Sequence, residues 1–352
     1  MVETNALSES MPVVIRFGRL GDMVLQTSLL HLLRVRYAQP CRLVTSGPWT
    51  QQLLRNCSDV SSIWTLKRRH CPFVLSPERW RLVAALKKCT GPIYVSEDAT
   101  RQLPKIRRLL RMAGIAKERC AFLTDVVGPK HWVDRLLHFG TTTPIAYAHL
   151  PNYPVADSDR WTSPRLSLDD VDRADRDQWL RRNGIAHLPI VLVQPGNRRA
   201  IKWRRARHTD SKAWPIGHWA QLLRAVRQIS PRACVLLCGS VDEEPLLKQI
   251  RGAAQVTGVN VVTSELPLRR LLALLEVAHS MVSVDTGPSH MAAAMGCPLV
   301  VLYGTEPRDV WGRRGPPRSR IVEIGGIPPL RSTSEIGVEL VIAAWRSLYG
   351  KS

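Results

Sequence analysis

Short apolar runs alternate along the chain with longer stretches in which apolar residues recur every three to four positions. In the first half the strand-like runs are 13–17, 41–45, 60–66, 92–95, 121–124 and 144–148. The helix-like stretches are 22–37, 48–56, 77–88, 102–113 and 129–138. Leu25, Leu29, Leu32 and Leu33 show the helical period within 22–37. Such alternation predicts a mostly parallel sheet with helices on its faces.

Between Pro151 and Pro164 the pattern breaks into Pro, Asp, Ser and Arg, and a polar helix over 169–183 follows, closed by Asn183-Gly184. A second series then begins at 190–193. Helices are expected at 215–229, 242–252, 267–278 and 288–295, with strands at 233–238, near 255–257 and 261–262, at 281–284 and at 298–303. The reading is an α/β chain of two domains, 12–168 and 169–332, in which 169–189 is a connector helix. A closing helix over 333–352, strongest at 333–349, is free to return to the first domain.

A length of 352 residues with 45% hydrophobic content gives each domain enough chain for a core. No stretch approaches the run of about 20 apolar residues that spans a bilayer. The first residues, with Glu3 and Glu9 and no apolar core, do not read as a secretory signal. Eight cysteines are scattered without a C-x-x-C pair, and Cys234 and Cys238 are expected as sheet residues. These features predict a cytoplasmic protein with reduced thiols.

The formal net charge of +21 calls for an anionic partner, and the excess occurs in both halves. Arg101, Lys105, Arg108 and Arg111 recur at helical spacing, with Ile106, Leu109 and Leu110 on another side, as in a basic amphipathic helix or an ordinary solvated face. No zinc-finger spacing and no aromatic-interleaved basic platform is present, so no nucleic-acid partner is expected. Asp157-Ser158-Asp159 and Asp170-Val171-Asp172 have a D-x-D form, but both fall in or beside the polar connector. No metal is predicted.

Two junctions carry candidate chemistry. Ser283 to His290 reads as a strand whose tip turns into a helix, with Gly287 in the turn and Pro288 at the first helical position. Backbone N–H groups at such a helix start suit a phosphate. Near the other end, the strand at 13–17 runs through Gly18 and Gly21 into a helix, placing Asp22 at a strand tip. Ligands of open α/β sheets collect there. Asp22 alternatively caps the helix, and no full G-x-G-x-x-G dinucleotide fingerprint occurs.

Four motifs stand in one order: Arg16-x4-Gly21-Asp22, Lys212-Ala213-Trp214-Pro215 with His218-Trp219, Gly239-Ser240 with Glu243, and Asp285-Thr286-Gly287-Pro288-Ser289-His290. In this order the chain resembles glycosyltransferase family nine, the ADP-heptose heptosyltransferases of lipopolysaccharide core assembly. The resemblance spans about 12–312 in motif order and is strongest after residue 190. It implies a GT-B architecture, two Rossmann-like domains facing a central cleft, with the acceptor mainly on the first and the donor nucleotide on the second.

The implied chemistry is inverting transfer of heptose from ADP-heptose to a sugar hydroxyl without an essential metal or other cofactor. Asp22 resembles the family's base. Lys212 and the helix start at Thr286 and Gly287 suit the leaving diphosphate, Glu243 the ribose hydroxyls, and Ser240 and Leu266 the nucleoside. Asp285 belongs to the same donor motif, and His290 either contacts the diphosphate or orients the turn. Arg16, Gly21, Arg101 and Lys105 are the acceptor-side candidates. An anionic lipid-linked oligosaccharide acceptor and peripheral contact with the anionic inner membrane follow from the same resemblance.

The stretch 197–208 is longer and more basic than the family's usual loop, which leaves substrate identity open. Two rival readings remain: a GT-B transferase or epimerase using another nucleotide sugar, and a non-catalytic polyanion-binding protein of the same fold.

Overall fold

The computed structural model describes residues 11–66, 76–98, 102–149, 156, 161–197, 211–328 and 330–349. By packing, the chain divides into two units, 1–167 and 168–352. Arg101, Asp157-Ser158-Asp159 and all but Asn197 of the basic stretch 197–208 lie outside the described residues.

The first unit runs β1 (Val13–Ile15), α1 (Leu20–Tyr37), β2 (Cys41–Thr45), α2 (Thr50–Leu53), β3 (Val60–Thr65), α3 (Pro77–Lys87), β4 (Ile93–Val95), α4 (Leu103–Met112), β5 (Cys120–Phe122) and α5 (Trp132–Gly140). The sheet is parallel in the order β3-β2-β1-β4-β5. Strand alternation splits its core. Val13, Ile15, Ile93 and Val95 pack with Leu82, Val83 and Leu86 of α3 and with Ile106, Leu109 and Leu110 of α4. Tyr94 turns to the other face, edge-on to Phe139 of α5 at 5.5 Å and hydrogen-bonded to the Tyr37 hydroxyl at 2.7 Å.

Helix α1 is buried beyond its leucine stripe: Gln26, Thr27, Ser28 and His31 are buried too. Trp161 stacks on His31 with centroids 3.7 Å apart, and Arg165 N–H donates to Thr27 Oγ1 at 3.2 Å, so chain returning from beyond α5 covers the helix's polar side.

The second unit contains α6 (Asp170–Arg182), β6 (Ile190–Gln194), α7 (Ile216–Ile229), β7 (Cys234–Cys238), α8 (Glu244–Ala254), β8 (Val259–Val262), α9 (Leu268–Val277), β9 (Ser280–Val284), α10 (Gly287–Ala294), β10 (Leu299–Tyr303), α11 (Arg308–Trp311), β11 (Ile321–Gly325) and α12 (Val338–Tyr349). Its sheet, also parallel, runs β11-β10-β9-β6-β7-β8. Both sheets have the doubly wound order, with the switch at β1/β4 in the first and at β6/β9 in the second. The last helix is anchored on the second sheet: Trp345 is fully buried in that core and donates from Nε1 to Ser280 Oγ at 2.9 Å.

Several elements differ from expectation. The stretch 144–148 is a 3-10 turn, not a strand: Tyr147 N–H bonds back to Pro144 O at 2.8 Å, and the Tyr147 hydroxyl is tied to Arg119 Nε at 2.9 Å. The helix expected over 48–56 shortens to Thr50–Leu53. The separate short strands near 255–257 and 261–262 become one, because Gln255 (φ 52°) ends α8 in the left-handed region and the strand starts only after Gly258. Strand β11 was not expected; it is short, carries Glu323 in its middle and forms the edge of the sheet beside β10.

Asp170-Val171-Asp172 opens α6, where Asp169 Oδ1 accepts from Asp172 N–H at 2.8 Å and the Asp172 carboxylate grips Arg269. Cys234 and Cys238 are buried sheet residues. Among the described residues no helix is long and apolar enough to cross a membrane.

Candidate active site

Asp22 lies at the carboxyl edge of the first sheet, in the first turn of α1. Gly18 lets it fold back there, since a side chain at 18 would collide with the Asp22 side chain. Asp22 takes part in capping the helix, as the third residue of a capping box with Arg19. Oδ2 accepts from Arg19 N–H at 2.6 Å, and Oδ1 accepts from Arg16 Nη2 at 2.8 Å. The carboxyl keeps 19% of its surface exposed. Gly21 occupies the same turn, one residue before it.

Arg16 is the hub. Buried directly after β1, it donates from Nη1 to Ser96 O and to Asp98 Oδ1, each at 2.8 Å, and faces Glu97 Oε1 at 3.5 Å. Its guanidinium lies 5.0 Å from the Trp132 ring centroid. Burial alone would lower its pKa; the charges of Asp22, Glu97 and Asp98 more than offset that and raise it, so Arg16 is a permanent cation among three carboxylates. Lys105 stands apart, exposed on the first turn of α4.

In the second unit Lys212 Nζ pairs with Asp285 Oδ2 and lies 3.3 Å from Glu306 Oε1. Asp285 follows β9 and Glu306 follows β10, both at the carboxyl edge. The other Asp285 oxygen accepts from Arg313 Nη2 at 2.6 Å. Arg313, whose side chain is fully buried, also donates to Ser289 Oγ at 2.6 Å and to the Tyr303 hydroxyl at 3.1 Å. Burial pushes the Asp285 carboxyl up, but Arg313, then Lys212, then His290 more than offset this and hold it well below the usual carboxylate range.

Thr286 is the N-cap of α10, its N–H donating to Ser289 Oγ at 3.2 Å, and Gly287 and Pro288 begin the helix. His290 is buried on the first turn.

Glu243, buried beyond β7, accepts from Ser240 N–H at 2.7 Å and from Ser240 Oγ at 2.9 Å, both on Oε2. Gly196, at the tip of β6, leaves room for Oε1, which a side chain at 196 would strike. Leu266 is half-buried between β8 and α9.

Each unit thus gathers its own cluster: Arg16, Gly21 and Asp22 in the first, Lys212 with Asp285, Thr286, Gly287 and His290 in the second, while Ser240 and Glu243 form a pair of their own at the β7 tip. The sequence reading missed Glu97, Asp98, Glu306 and Arg313. The strand-tip logic that singled out Asp22 applies equally to Glu97 and Asp98, which follow the apolar run 93–95. Arg313 sits in a charged Gly/Pro-rich stretch that reads as loop, with no local sign that it is buried. Among the described residues no group of three His, Cys, Asp or Glu is placed to hold a metal ion.

Residues 153–328 match the profile of glycosyltransferase family 9 (heptosyltransferase). Lipooligosaccharide heptosyltransferase 2 of Haemophilus influenzae is 25% identical over 294 residues, 81% of this chain and 80% of that one. Lipopolysaccharide heptosyltransferase 2 of Salmonella typhimurium is 25% identical over 303 residues, 82% and 81%. Among solved structures, Escherichia coli ADP-heptose lipopolysaccharide heptosyltransferase II superposes with a TM-score of 0.71 at 20% identity, covering 96% of this chain and 98% of its own. An Escherichia coli heptosyltransferase with ADP gives 0.64 at 16% identity, covering 96% and 99%. The structural likeness establishes the fold, the α/β GT-B class of two Rossmann-like domains expected above. With half of its length matched by the family profile and curated relatives along four-fifths of it, the chain belongs to glycosyltransferase family 9 and is a glycosyltransferase.

Proposed function

We propose that the enzyme transfers heptose from ADP-heptose to a sugar hydroxyl of a lipopolysaccharide core acceptor, with inversion and without a metal. The observation that carries the mechanism is the anchoring of one carboxylate, Asp22, at the first switch point and one ammonium, Lys212, at the second sheet's carboxyl edge. Both are held by buried partners yet partly open, as a working acid–base group and an anion-binding group must be. The Haemophilus influenzae and Salmonella typhimurium relatives are a lipooligosaccharide and a lipopolysaccharide heptosyltransferase, which supports heptose as the sugar and that glycolipid as the setting.

In this mechanism the acceptor hydroxyl oxygen attacks the anomeric carbon from the face opposite the diphosphate. Its proton passes to Asp22, the carbon–oxygen bond to ADP breaks, and ADP leaves with the electron pair. Arg16 orients Asp22 and does not titrate with it. Lys212 meets the negative charge growing on the diphosphate, assisted by the N–H groups at the start of α10. Asp285 and Arg313 aim Lys212, and His290 adds its share to the field around Asp285. Ser240, Glu243 and Leu266 take the nucleoside, with Glu243 Oε1 toward the ribose. Arg16, Gly21, Lys105 and Arg101 serve the acceptor side. The enzyme works in the cytoplasm at the inner-membrane surface, where a lipid-linked acceptor is presented.

Calorimetric titration with ADP, UDP and GDP, on wild type and Lys212→Ala, tests the donor side. Selective ADP binding that the variant weakens is the expected result; a preference for UDP or GDP would move the donor to another sugar nucleotide. Turnover of ADP-heptose with a core acceptor, followed by the anomeric configuration of the product, tests the rest.

A further inference from the structure

Helices α3 and α4 together cover one face of the first sheet, and their outward sides are charged with one sign. They bury Leu82, Val83, Leu86, Ile106, Leu109 and Leu110 against the strands. Outward stand Arg81, Lys87, Lys88, Lys105, Arg108 and Arg111, all exposed. The acidic residue in these two helices is Glu78, half-buried in the first turn of α3. A large aromatic interrupts the cations: Trp80, beside Arg81, leaves 47% of its surface in solvent.

Each helix follows a strand and runs back along it, so both begin at the carboxyl edge that holds Asp22. Trp80 and Lys105, in the first turns of α3 and α4, mark that end of the face.

We propose that this face docks the enzyme on an anionic lipid bilayer, the cations against lipid phosphates and Trp80 in the headgroup layer. The charge of this face is complementary to an anionic surface. A single exposed tryptophan is what an interface anchor requires and is too little to build a base-stacking platform for nucleic acid. Docked this way, the carboxyl edge with Asp22 stays close to the membrane surface, where the sugar of a lipid-linked acceptor emerges. The proposal rests on the reading that the acceptor is lipid-linked.

The test is co-sedimentation of the full chain with vesicles of phosphatidylcholine alone and of phosphatidylcholine with about one-third phosphatidylglycerol, at low and physiological salt. Wild type is expected to partition at least about tenfold more onto the anionic vesicles, and less as salt rises. Arg81→Glu/Lys88→Glu/Arg111→Glu should lose roughly tenfold to a hundredfold of that binding, and Trp80→Ser a few-fold. A control with the same charge change on the second unit, Arg181→Glu/Arg182→Glu/Arg251→Glu, should change it by less than about twofold. ADP affinity equal to wild type shows that the triple variant is folded.

Undiminished binding by the α3/α4 variant, an equal loss in the control, or tighter binding to single-stranded RNA than to the anionic vesicles would overturn the proposal. Vesicle binding that depends on α3 and α4 without ADP-heptose turnover upholds the docking face and sinks the transfer reading. Turnover on a lipid-free acceptor without vesicle binding does the reverse.

Discussion

Arg313 and Asp285 form a buried ion pair, with Nη2 2.6 Å from Oδ1, and the pair leaves the second Asp285 oxygen for Lys212. Three residues from separate stretches of sequence are thereby fixed as one unit, and the ammonium proposed to meet the donor diphosphate is placed by a guanidinium that reaches it only through a carboxylate.

Removing Arg313 strands a buried anion. Arg313→Met is expected to destabilise the protein by roughly 3–5 kcal/mol, because the Asp285 charge loses its main compensation. The double variant Arg313→Met/Asp285→Asn should cost less than the sum of the two single changes. Denaturant unfolding of the four proteins checks this; strict additivity would dissolve the coupling.

Lys212→Ala is expected to weaken ADP binding and lower the turnover number by about 10²-fold or more, since charge on the leaving group peaks in the transition state. Isothermal titration and steady-state kinetics read the two effects separately. Wild-type kinetics would remove Lys212 from the mechanism.

Asp22→Asn keeps the size of the side chain and loses the base. Turnover should fall by about 10²–10⁴ while ADP affinity stays near wild type, because Asp22 belongs to the first unit's cluster and the donor groups to the second. An unchanged rate would assign Asp22 to helix capping alone.

Asp98 shares Arg16 with Asp22 and keeps 35% of its side chain exposed. Asp98→Asn is expected to raise the acceptor KM several-fold and leave the donor KM unchanged. An unchanged acceptor KM would make Asp98 a bystander.

Asp172 grips Arg269 from the start of α6. Burial opposes its charge, but the Arg269 hydrogen bonds more than offset that and bring its pKa from 3.8 down to about 2. The folded value lies below the unfolded one, so the pair contributes stability that is complete above the unfolded pKa and is lost as pH falls toward 2. Asp172→Asn should therefore cost roughly 2 kcal/mol at neutral pH and little at pH near 2, a difference that unfolding curves across that range will show.

The chain's own pattern was enough for the α/β class, the two alternating series and the strand-tip positions of Asp22 and Asp285. Those features rest on local periodicity and turn chemistry, which neighbouring residues carry between them. The charge excess and the amphipathic stretch at 103–112 were equally visible. What local pattern does not encode is which distant strand tips become neighbours. The doubly wound order sets β4 beside β1 and so brings Glu97 and Asp98 to Arg16; it sets β9 beside β10, and Arg313 folds back from beyond the β10 tip onto Asp285. The same limit explains the misread elements. Residues 144–148 have strand-like composition but are held as a turn by Arg119, and the short run 321–325 becomes β11 by pairing in parallel along β10, a partner its own residues do not reveal. Sequence determined the elements and their reactive tips; tertiary structure decided which charges meet, because the free energy of a buried charge depends on partners that no stretch of local sequence contains.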